Sequence, residues 1–143
     1  MIPARSSQYS QVQIQTATKG KLIVLLYQGA IRFMRKAILA MERRDMEAKG
    51  DCLIRAQDIV LELLYAIDHQ MLDSGNELAR NLQRLYLYSY RRLVEANIRI
   101  DPKAVEEVIG LMGNLLEAWE QVVAGEPQSA AASTGGQSLA LTG

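Results

Sequence analysis

The stretch LYLYSYRRLVEANI, residues 85–98, decides which fold this sequence predicts. Its first six residues alternate as the two faces of a β-strand do, whereas the residues after them repeat their apolar side chains at helical spacing. A strand here would have no partner, because no other segment of the chain has a strand pattern. Helical spacing also fits the whole of residues 77–98, so the stretch is predicted to be part of an α-helix.

Capping signals place two helices before this one. Thr18 is a suitable N-cap for a first helix from about residue 19 to residue 42. Asp45 can cap a second helix that runs to about His69. The connection between the two helices is short, so they are expected to pack as antiparallel neighbours.

Two further signals mark the third and fourth helices. Ser74 and Glu77 fit a capping box at the start of helix 3, which is predicted to end near Ile98. Asp101 is followed by a proline at the first position of helix 4, and Gly125 closes that helix. The similar lengths and short connections predict an all-α fold, an antiparallel up-down-up-down four-helix bundle.

The sequence divides into three parts. Residues 17–125 are predicted to form the bundle domain. Residues 1–16 are polar with few apolar side chains and are expected to act as an N-terminal capping segment. Residues 126–143 are small, polar and nearly without charge, a composition that predicts a disordered tail.

The composition limits the possible functions. Sixteen basic side chains balance sixteen acidic ones, so no excess charge favours nucleic acid or an anionic membrane. The longest apolar run, residues 22–27, is too short to cross a bilayer, and the N-terminus lacks the apolar region of a signal peptide. The single Cys52 excludes an internal disulfide and fits a reducing compartment. We therefore expect a cytoplasmic protein that neither binds nucleic acid nor inserts into a membrane.

Signatures of catalysis are absent from the sequence. The one histidine, His69, is too few for the two Glu-x-x-His motifs of a di-iron bundle. The sequence also lacks a haem-attachment motif, a phosphate-binding glycine loop and a nucleophile elbow. A dipole interaction at the end of helix 2 is the expected role of His69. We therefore expect no enzymatic activity, no cofactor and no metal.

Three of the helices carry more apolar residues than a bundle core requires. Each member of a four-helix bundle needs one apolar stripe. Helix 3 has a core arc, in which Leu78 is included, and roughly opposite it a second stripe at i, i+3, i+7 and i+11. The residues expected to bind a partner are Val24, Tyr27 and Ile31 on helix 1, Ile54, Leu61 and Tyr65 on helix 2, and Leu87, Tyr90, Val94 and Ile98 on helix 3.

An exposed apolar surface of this extent usually marks a binding partner. On helix 1 the sequence leaves a second explanation open, namely a wide arc that is buried against neighbouring helices. On helix 3 no fifth helix exists to cover the second stripe, so a partner is expected there. Tyr9 and Ile14 of the N-terminal segment are expected either to cover part of this surface or to contact the partner themselves.

Four motifs resemble a known family. They are TATKGKLIVLLYQGAIRF at 16–33, RAQDIVLELL at 55–64, ELARNLQRLYLYSYRRLVEANIRID at 77–101 and EEVIGLMGNLLEAWEQV at 106–122. In order and spacing they resemble the flagellar secretion chaperone FliS. The usual proline after the TAT motif is Lys19 here, and the aspartate of the LYDGAI motif is Gln28. The aspartate and methionine of the LYDYM motif are Leu87 and Ser89.

The resemblance implies a specific function. Members of this family are cytoplasmic four-helix bundles that bind the C-terminal region of flagellin and prevent its premature polymerisation. They also assist its delivery to the flagellar type III export apparatus. The extra apolar stripes fit such a client, since amphipathic helices are recognised by apolar grooves through anchors at helical spacing. Without its client, the chain is expected to be a monomer or a weak homodimer.

An alternative remains open at this point. The extra apolar faces could instead form a self-associating structural bundle, a homodimer with no flagellin client. A two-fold dimer uses one self-complementary patch, whereas a client that wraps around the bundle needs apolar surface on several helices. The spread of the extra residues over helices 1, 2 and 3 favours the client.

Overall fold

The computed structural model describes residues 19–67 and 75–125, and within them the chain forms four α-helices and no strand. The helices are α1 (Lys19–Glu42), α2 (Met46–Tyr65), α3 (Glu77–Arg99) and α4 (Pro102–Ala124). The stretch 85–98 lies wholly inside α3, which confirms the helical prediction. The predicted cap Thr18, the capping segment 1–16, His69 and the tail 126–143 lie outside the described residues.

Side-chain caps start three of the helices. The carboxylate of Asp45 accepts a hydrogen bond from the backbone N–H of Ala48 at 3.1 Å, as predicted for α2. Asp101 accepts from the N–H of Lys103 at 3.0 Å ahead of α4, which begins at its proline as predicted.

The start of α3 differs from the prediction. Its N-cap is Asn76 rather than Ser74, and the Asn76 side chain accepts from the N–H of Ala79 at 2.9 Å. The reason is local, because asparagine caps as well as serine does and Gly75 supplies a left-handed turn with φ 83° directly before it. Of the two capping residues, the helix therefore uses Asn76, the one directly before its first residue.

Left-handed residues close two of the connections. Arg44 (φ 59°) follows α1 and Ile100 (φ 53°) follows α3. After each of them the next N–H reaches back into the helix: Asp45 donates to the carbonyl of Ala40 at 2.8 Å, and Asp101 donates to that of Ala96 at 3.0 Å. Neither left-handed residue is a glycine, so each pays a steric penalty for its conformation.

Contacts divide the chain into two compact units, of which the larger is Leu26–Leu116. In this unit the ends of the helices pair in the antiparallel sense. Gly29 of α1 faces Ile59 of α2, and Phe33, one turn further along α1, lies 5.6 Å from the guanidinium of Arg55, one turn back along α2. The predicted antiparallel four-helix bundle is thus confirmed.

The core of the larger unit is apolar and closely packed. Its deeply buried apolar side chains include Tyr27, Ala30, Met34, Ala37, Leu53, Ala56, Val60, Leu63, Tyr86, Leu93, Ala96, Val105, Val108 and Met112. The second unit comprises Met1–Leu25 and Glu117–Gly143, and among its described residues Ile23 is buried and Trp119 half-buried.

The core contains two corrections to the sequence prediction. Tyr27 and Ile31, expected on a partner-facing flank of α1, belong to its buried stripe, because α1 packs with a wide arc against its neighbours. Leu78, expected in the core, is 64% exposed. The contact between Lys49 and Asn97 sets the register of α2 against α3, and in that register Leu78 lies opposite a position beyond Tyr65, where α2 has already ended.

Candidate partner-binding grooves

The flank of α3 that faces α2 can be identified from one contact. The Lys49 ammonium, on α2, donates to the carbonyl oxygen of Asn97 at 3.0 Å and to its Oδ1 at 2.7 Å. Tyr90 and Val94 lie seven and three residues before Asn97, so helical rotation places them on the same flank. Tyr90 and Val94, the two central residues of the second apolar stripe of α3, therefore lie along the α2–α3 seam.

The matching residues of α2 lie on the other side of that seam. Arg55 and Ile59 contact α1, through Phe33 and Gly29. Ile54 and Leu61 lie on the opposite flank of α2, about 100° or more away in helical rotation, and so face α3. We call this surface the α2–α3 groove, and it is formed by Ile54, Leu61, Leu87, Tyr90, Val94 and Ile98.

Exposure changes along the α2–α3 groove. Leu61, Leu87, Tyr90 and Val94 are half-buried, whereas Ile98 is 76% exposed and Ile54 52% exposed. Six of the residues predicted from the sequence are thus brought together. Tyr65 is exposed at the last residue of α2 and Val24 is half-buried on α1, while Tyr9 and Ile14 lie outside the described residues.

Two apolar residues near the Ile98 end of the α2–α3 groove were not predicted from the sequence. Met46, the first residue of α2, and Ile100, in the turn after α3, are both exposed. A helix wheel gives no signal for either residue. Met46 stands at the very start of α2, and Ile100 lies after the end of α3. An isoleucine in a turn, where polar residues and glycine are usual, was the available signal.

A second groove lies between α1 and α4. Its volume is about 480 Å³, and its lining residues are Gln28, Ile31, Arg32, Arg35, Lys36 and Leu39 of α1 with Gly113 and Leu116 of α4. Ile31 was predicted as a partner contact, and it lines this groove although most of its surface is buried. The three basic residues were not predicted. We call this surface the α1–α4 groove.

The seam between α3 and α4, by contrast, is closed by polar contacts. Arg92 on α3 pairs with Glu107 on α4 at 2.7 Å and with Glu95 at 2.7 Å. The Tyr88 hydroxyl donates to Glu107 as well. This hydrogen bond and the Arg92 charge lower the pKa of Glu107, and the same bond raises the pKa of Tyr88. Polar side chains thus occupy this seam.

Metal-binding clusters and membrane spans are absent from residues 19–67 and 75–125. They contain no group of three or more histidine, cysteine or acidic side chains that could hold a metal ion. None of their helices has the length and hydropathy required to cross a membrane. Burial raises the pKa of Tyr86, the most strongly shifted tyrosine among the described residues.

A helical bundle with two apolar grooves on its surface is typical of proteins that bind segments of other chains. The comparisons with known proteins agree with this class. A family model described as flagellar protein FliS matches residues 1–126. The chain therefore belongs to the FliS family.

Several curated relatives carry the name flagellar secretion chaperone FliS. The chain is 39% identical over 118 residues to that of Bacillus subtilis (strain 168), which covers 82% of this chain and 85% of the relative. It is 41% identical over 118 residues to that of Salmonella typhimurium, covering 80% and 86%. With that of Escherichia coli (strain K12) it shares 35% identity over 127 residues, covering 85% and 91%.

Proposed function

We propose that this chain is a cytoplasmic export chaperone that binds the C-terminal region of flagellin, prevents its premature polymerisation and assists its delivery to the flagellar type III export apparatus. The observation that carries the proposal is the α2–α3 groove, an apolar surface on two helices that ends in the largely exposed Ile98. The relatives of this chain are named secretion chaperones. The α2–α3 groove would give such a chaperone a surface for its client.

The spacing of the groove residues fits a bound helix. From Leu87 to Ile98 the α3 stripe advances eleven residues, roughly 16 Å, which matches about three turns of a client helix lying alongside. Tyr90 and Val94 are half-buried between these ends, so they form the floor of the groove. The exposed Ile98 and Ile54 are then the side chains with most surface to lose when a client binds.

The backbone near Ile98 supports the same interpretation. Ile100 is a β-branched residue in a left-handed conformation, with 46% of its surface exposed. Nearly half of the residue's surface therefore stays in water, although its conformation costs about 1–2 kcal/mol. Strain of this kind tends to persist where a residue has a function other than stability. We propose that Ile100 and Met46 extend the client surface beyond Ile98.

The test is one charge placed in the groove. Ile98→Asp should leave helical content and melting temperature nearly unchanged, because the side chain is largely exposed. The same change should weaken binding to a flagellin C-terminal fragment by about 2 kcal/mol, or roughly thirtyfold, measured by titration calorimetry. Asn81→Asp is the matched control, since it adds the same charge to an exposed position of α3 that faces away from α2.

Two results would overturn the proposal. One is wild-type chain that fails to bind the flagellin fragment. The other is a stable homodimer, in sedimentation, that the fragment does not change and that Ile98→Asp dissociates. The second result would assign the groove to self-association instead.

A further inference from the structure

The outer face of α1, opposite its buried stripe, carries a line of basic side chains. Arg32, Lys36, Leu39 and Arg43 follow one another at i, i+4, i+7 and i+11, which places them on one side of the helix over roughly 16 Å. Arg43 continues the helical pattern just beyond α1, because its N–H donates to the carbonyl of Leu39 at 3.1 Å. Arg35 lies beside this line, and all five side chains are exposed, Leu39 to 51%. We call this surface the basic face of α1.

No acidic side chain forms an ion pair with the basic face of α1 in the part of the chain that the structure describes. Both ion pairs found in residues 19–67 and 75–125 involve Arg92, on another helix. The one acid of α1 is Glu42, its last residue, and no acid lines the α1–α4 groove beside the face. Arg32 and Lys36 lie 5.9 and 5.7 Å from the Phe33 ring, contacts that leave their charges unneutralised. Because like charges three or four residues apart repel one another, the arrangement does not stabilise α1.

The zero net charge of the chain hides this clustering. Sixteen acids balance sixteen bases over the whole sequence. The helix α1 alone departs from this balance, with one acid at its end and the basic residues Lys19, Lys21, Arg32, Arg35 and Lys36. Composition therefore gave no reason to expect an anionic partner, whereas the structure gathers positive charge on one side of α1, where it attracts anions.

The surroundings of the basic face of α1 favour a lipid bilayer over three other anionic partners. Residues 1–18 contain no aspartate or glutamate and residues 126–143 contain only Glu126, so the tails do not supply the counter-charge. A second copy of the chain in a two-fold dimer would bring two basic faces together. Single-stranded nucleic acid stacks its bases on aromatic side chains, but Phe33 is half-buried with three cations around its ring. An exposed leucine among cations instead matches a membrane interface, where basic side chains meet phosphates and an apolar side chain enters the boundary with the acyl chains.

We propose that the basic face of α1 is a peripheral membrane-binding surface for anionic phospholipids. The guanidinium and ammonium groups of the face contact the lipid phosphates, and Leu39 enters the headgroup region. Each basic residue near an anionic bilayer strengthens binding about fivefold, so the four cations of the face support a reversible attachment to the bilayer surface.

The test is co-sedimentation of the full chain with vesicles, in the absence of any client. Wild-type chain should bind vesicles of phosphatidylglycerol and phosphatidylethanolamine but not vesicles of phosphatidylcholine alone, and the binding should weaken as salt is added. Arg35→Glu/Arg43→Glu, which keeps the two cations beside Phe33, should weaken binding to the anionic vesicles at least tenfold. Arg84→Glu/Lys103→Glu is the matched control, with the same change of charge at exposed positions of α3 and α4. Leu39→Asn should weaken binding about threefold with every charge in place, an effect that attraction between charges alone would not produce.

Three results would overturn the inference. The first is wild-type chain that sediments with neither kind of vesicle or with both kinds equally, and this result depends on no variant. The second is unchanged binding to anionic vesicles in Arg35→Glu/Arg43→Glu, with folding of the variant checked by circular dichroism. The third is wild-type chain that binds a single-stranded RNA but no vesicles, which would assign the face to nucleic acid. None of these measurements contains flagellin, so each of these results leaves the proposed function standing.

Discussion

The hydroxyl groups of Tyr27 and Tyr86 hydrogen-bond to each other inside the bundle and join α1 to α3. Both side chains are buried, and their rings are 6.4 Å apart at an angle of 47°. Burial, together with this hydrogen bond, raises the pKa of Tyr86, so the Tyr86 hydroxyl stays neutral across the physiological range. A polar contact in a mainly apolar core fixes how α1 and α3 align, since a shift along either helix would separate the two hydroxyls.

Removing one member of this pair should destabilise the bundle. Tyr27→Phe leaves the buried hydroxyl of Tyr86 without this partner and should lower the free energy of unfolding by about 1–3 kcal/mol in urea denaturation. The double change Tyr27→Phe/Tyr86→Phe should lower the free energy of unfolding by less than the sum of the two single changes, because it removes both hydroxyls and leaves neither without its partner. Strict additivity of the two changes would show that the hydroxyls do not interact.

Helix positions could be predicted from the sequence because their signals are local. The caps at Asp45 and Asp101 and the spacing within residues 77–98 act over a few residues, and each is found where predicted. Burial depends on the neighbours instead. The burial of Tyr27 and the exposure of Leu78 were predicted wrongly. A helix wheel shows neither how wide an arc of α1 is buried nor where α2 ends.

Ser89 provides a second test of the core. Its hydroxyl oxygen is completely buried and has no hydrogen-bond partner among the described residues. A buried polar group without a partner is destabilising, so Ser89→Ala should raise the free energy of unfolding by about 1 kcal/mol. Chemical denaturation of the two proteins measures the difference. A loss of stability would mean that the hydroxyl has a partner that the described residues do not provide.

The left-handed turn at Ile100 should respond to glycine. Ile100→Gly removes the clash of Cβ in this conformation, whereas Ile100→Ala removes most of the side chain and keeps Cβ. The glycine variant should therefore be more stable than the alanine variant by about 1 kcal/mol in thermal unfolding. If Ile100 belongs to the client surface, both variants should bind the flagellin fragment more weakly than wild type. Equal stability of the two variants would argue against strain at this position.

The Arg92–Glu107 contact should make a small, pH-dependent contribution. The pKa of Glu107 is lowered in the folded chain. The stability that its charge contributes is therefore complete above about 4.3, the pKa in the unfolded chain, and is lost as the pH falls through the lower pKa of the folded chain. Both partners are accessible to solvent, so Glu107→Gln should cost no more than about 1 kcal/mol at neutral pH. Unfolding curves at neutral and acidic pH measure this loss, which should vanish in acid.

The exposed Glu106 supplies the control for this experiment. It makes no ion pair within the described residues, so Glu106→Gln should change stability little at either pH. If Glu106→Gln and Glu107→Gln behave alike, the specific contact with Arg92 contributes nothing.

The N-terminal segment is predicted to cover apolar surface when no client is bound. Removing residues 1–15 should raise the binding of an apolar dye and increase self-association, with helical content unchanged. Because a tethered segment has a high effective concentration, its removal should also raise the affinity for the flagellin fragment. A fall in affinity would mean that Tyr9 or Ile14 contacts the client. The control is deletion of residues 126–143, which should leave melting and affinity within error.

The two grooves were predictable to different degrees. The stripe from Leu87 to Ile98 has a clear helical period and no core position to occupy, so its role as an external surface could be proposed from the sequence. The α1–α4 groove could not be found in this way. Arg32, Arg35 and Lys36 look like the solvated face of any helix until the structure places Leu39 and Leu116 beside them.

Lys49 links α2 to α3 at only one end of the helix pair. Its ammonium holds the carbonyl and side chain of Asn97, near the end of α3, where carbonyls lack partners within the helix. No comparable bridge joins α2 to α3 near Tyr65 within the part of the chain that the structure describes. We expect opening motions of the pair to increase from Lys49 towards Tyr65, so amide hydrogen exchange along α2 should be slowest near Leu53 and fastest near Leu64. We expect a helix bound in the α2–α3 groove to contact a more mobile surface near Leu61 than near Ile98, and this difference should favour one orientation of the bound segment.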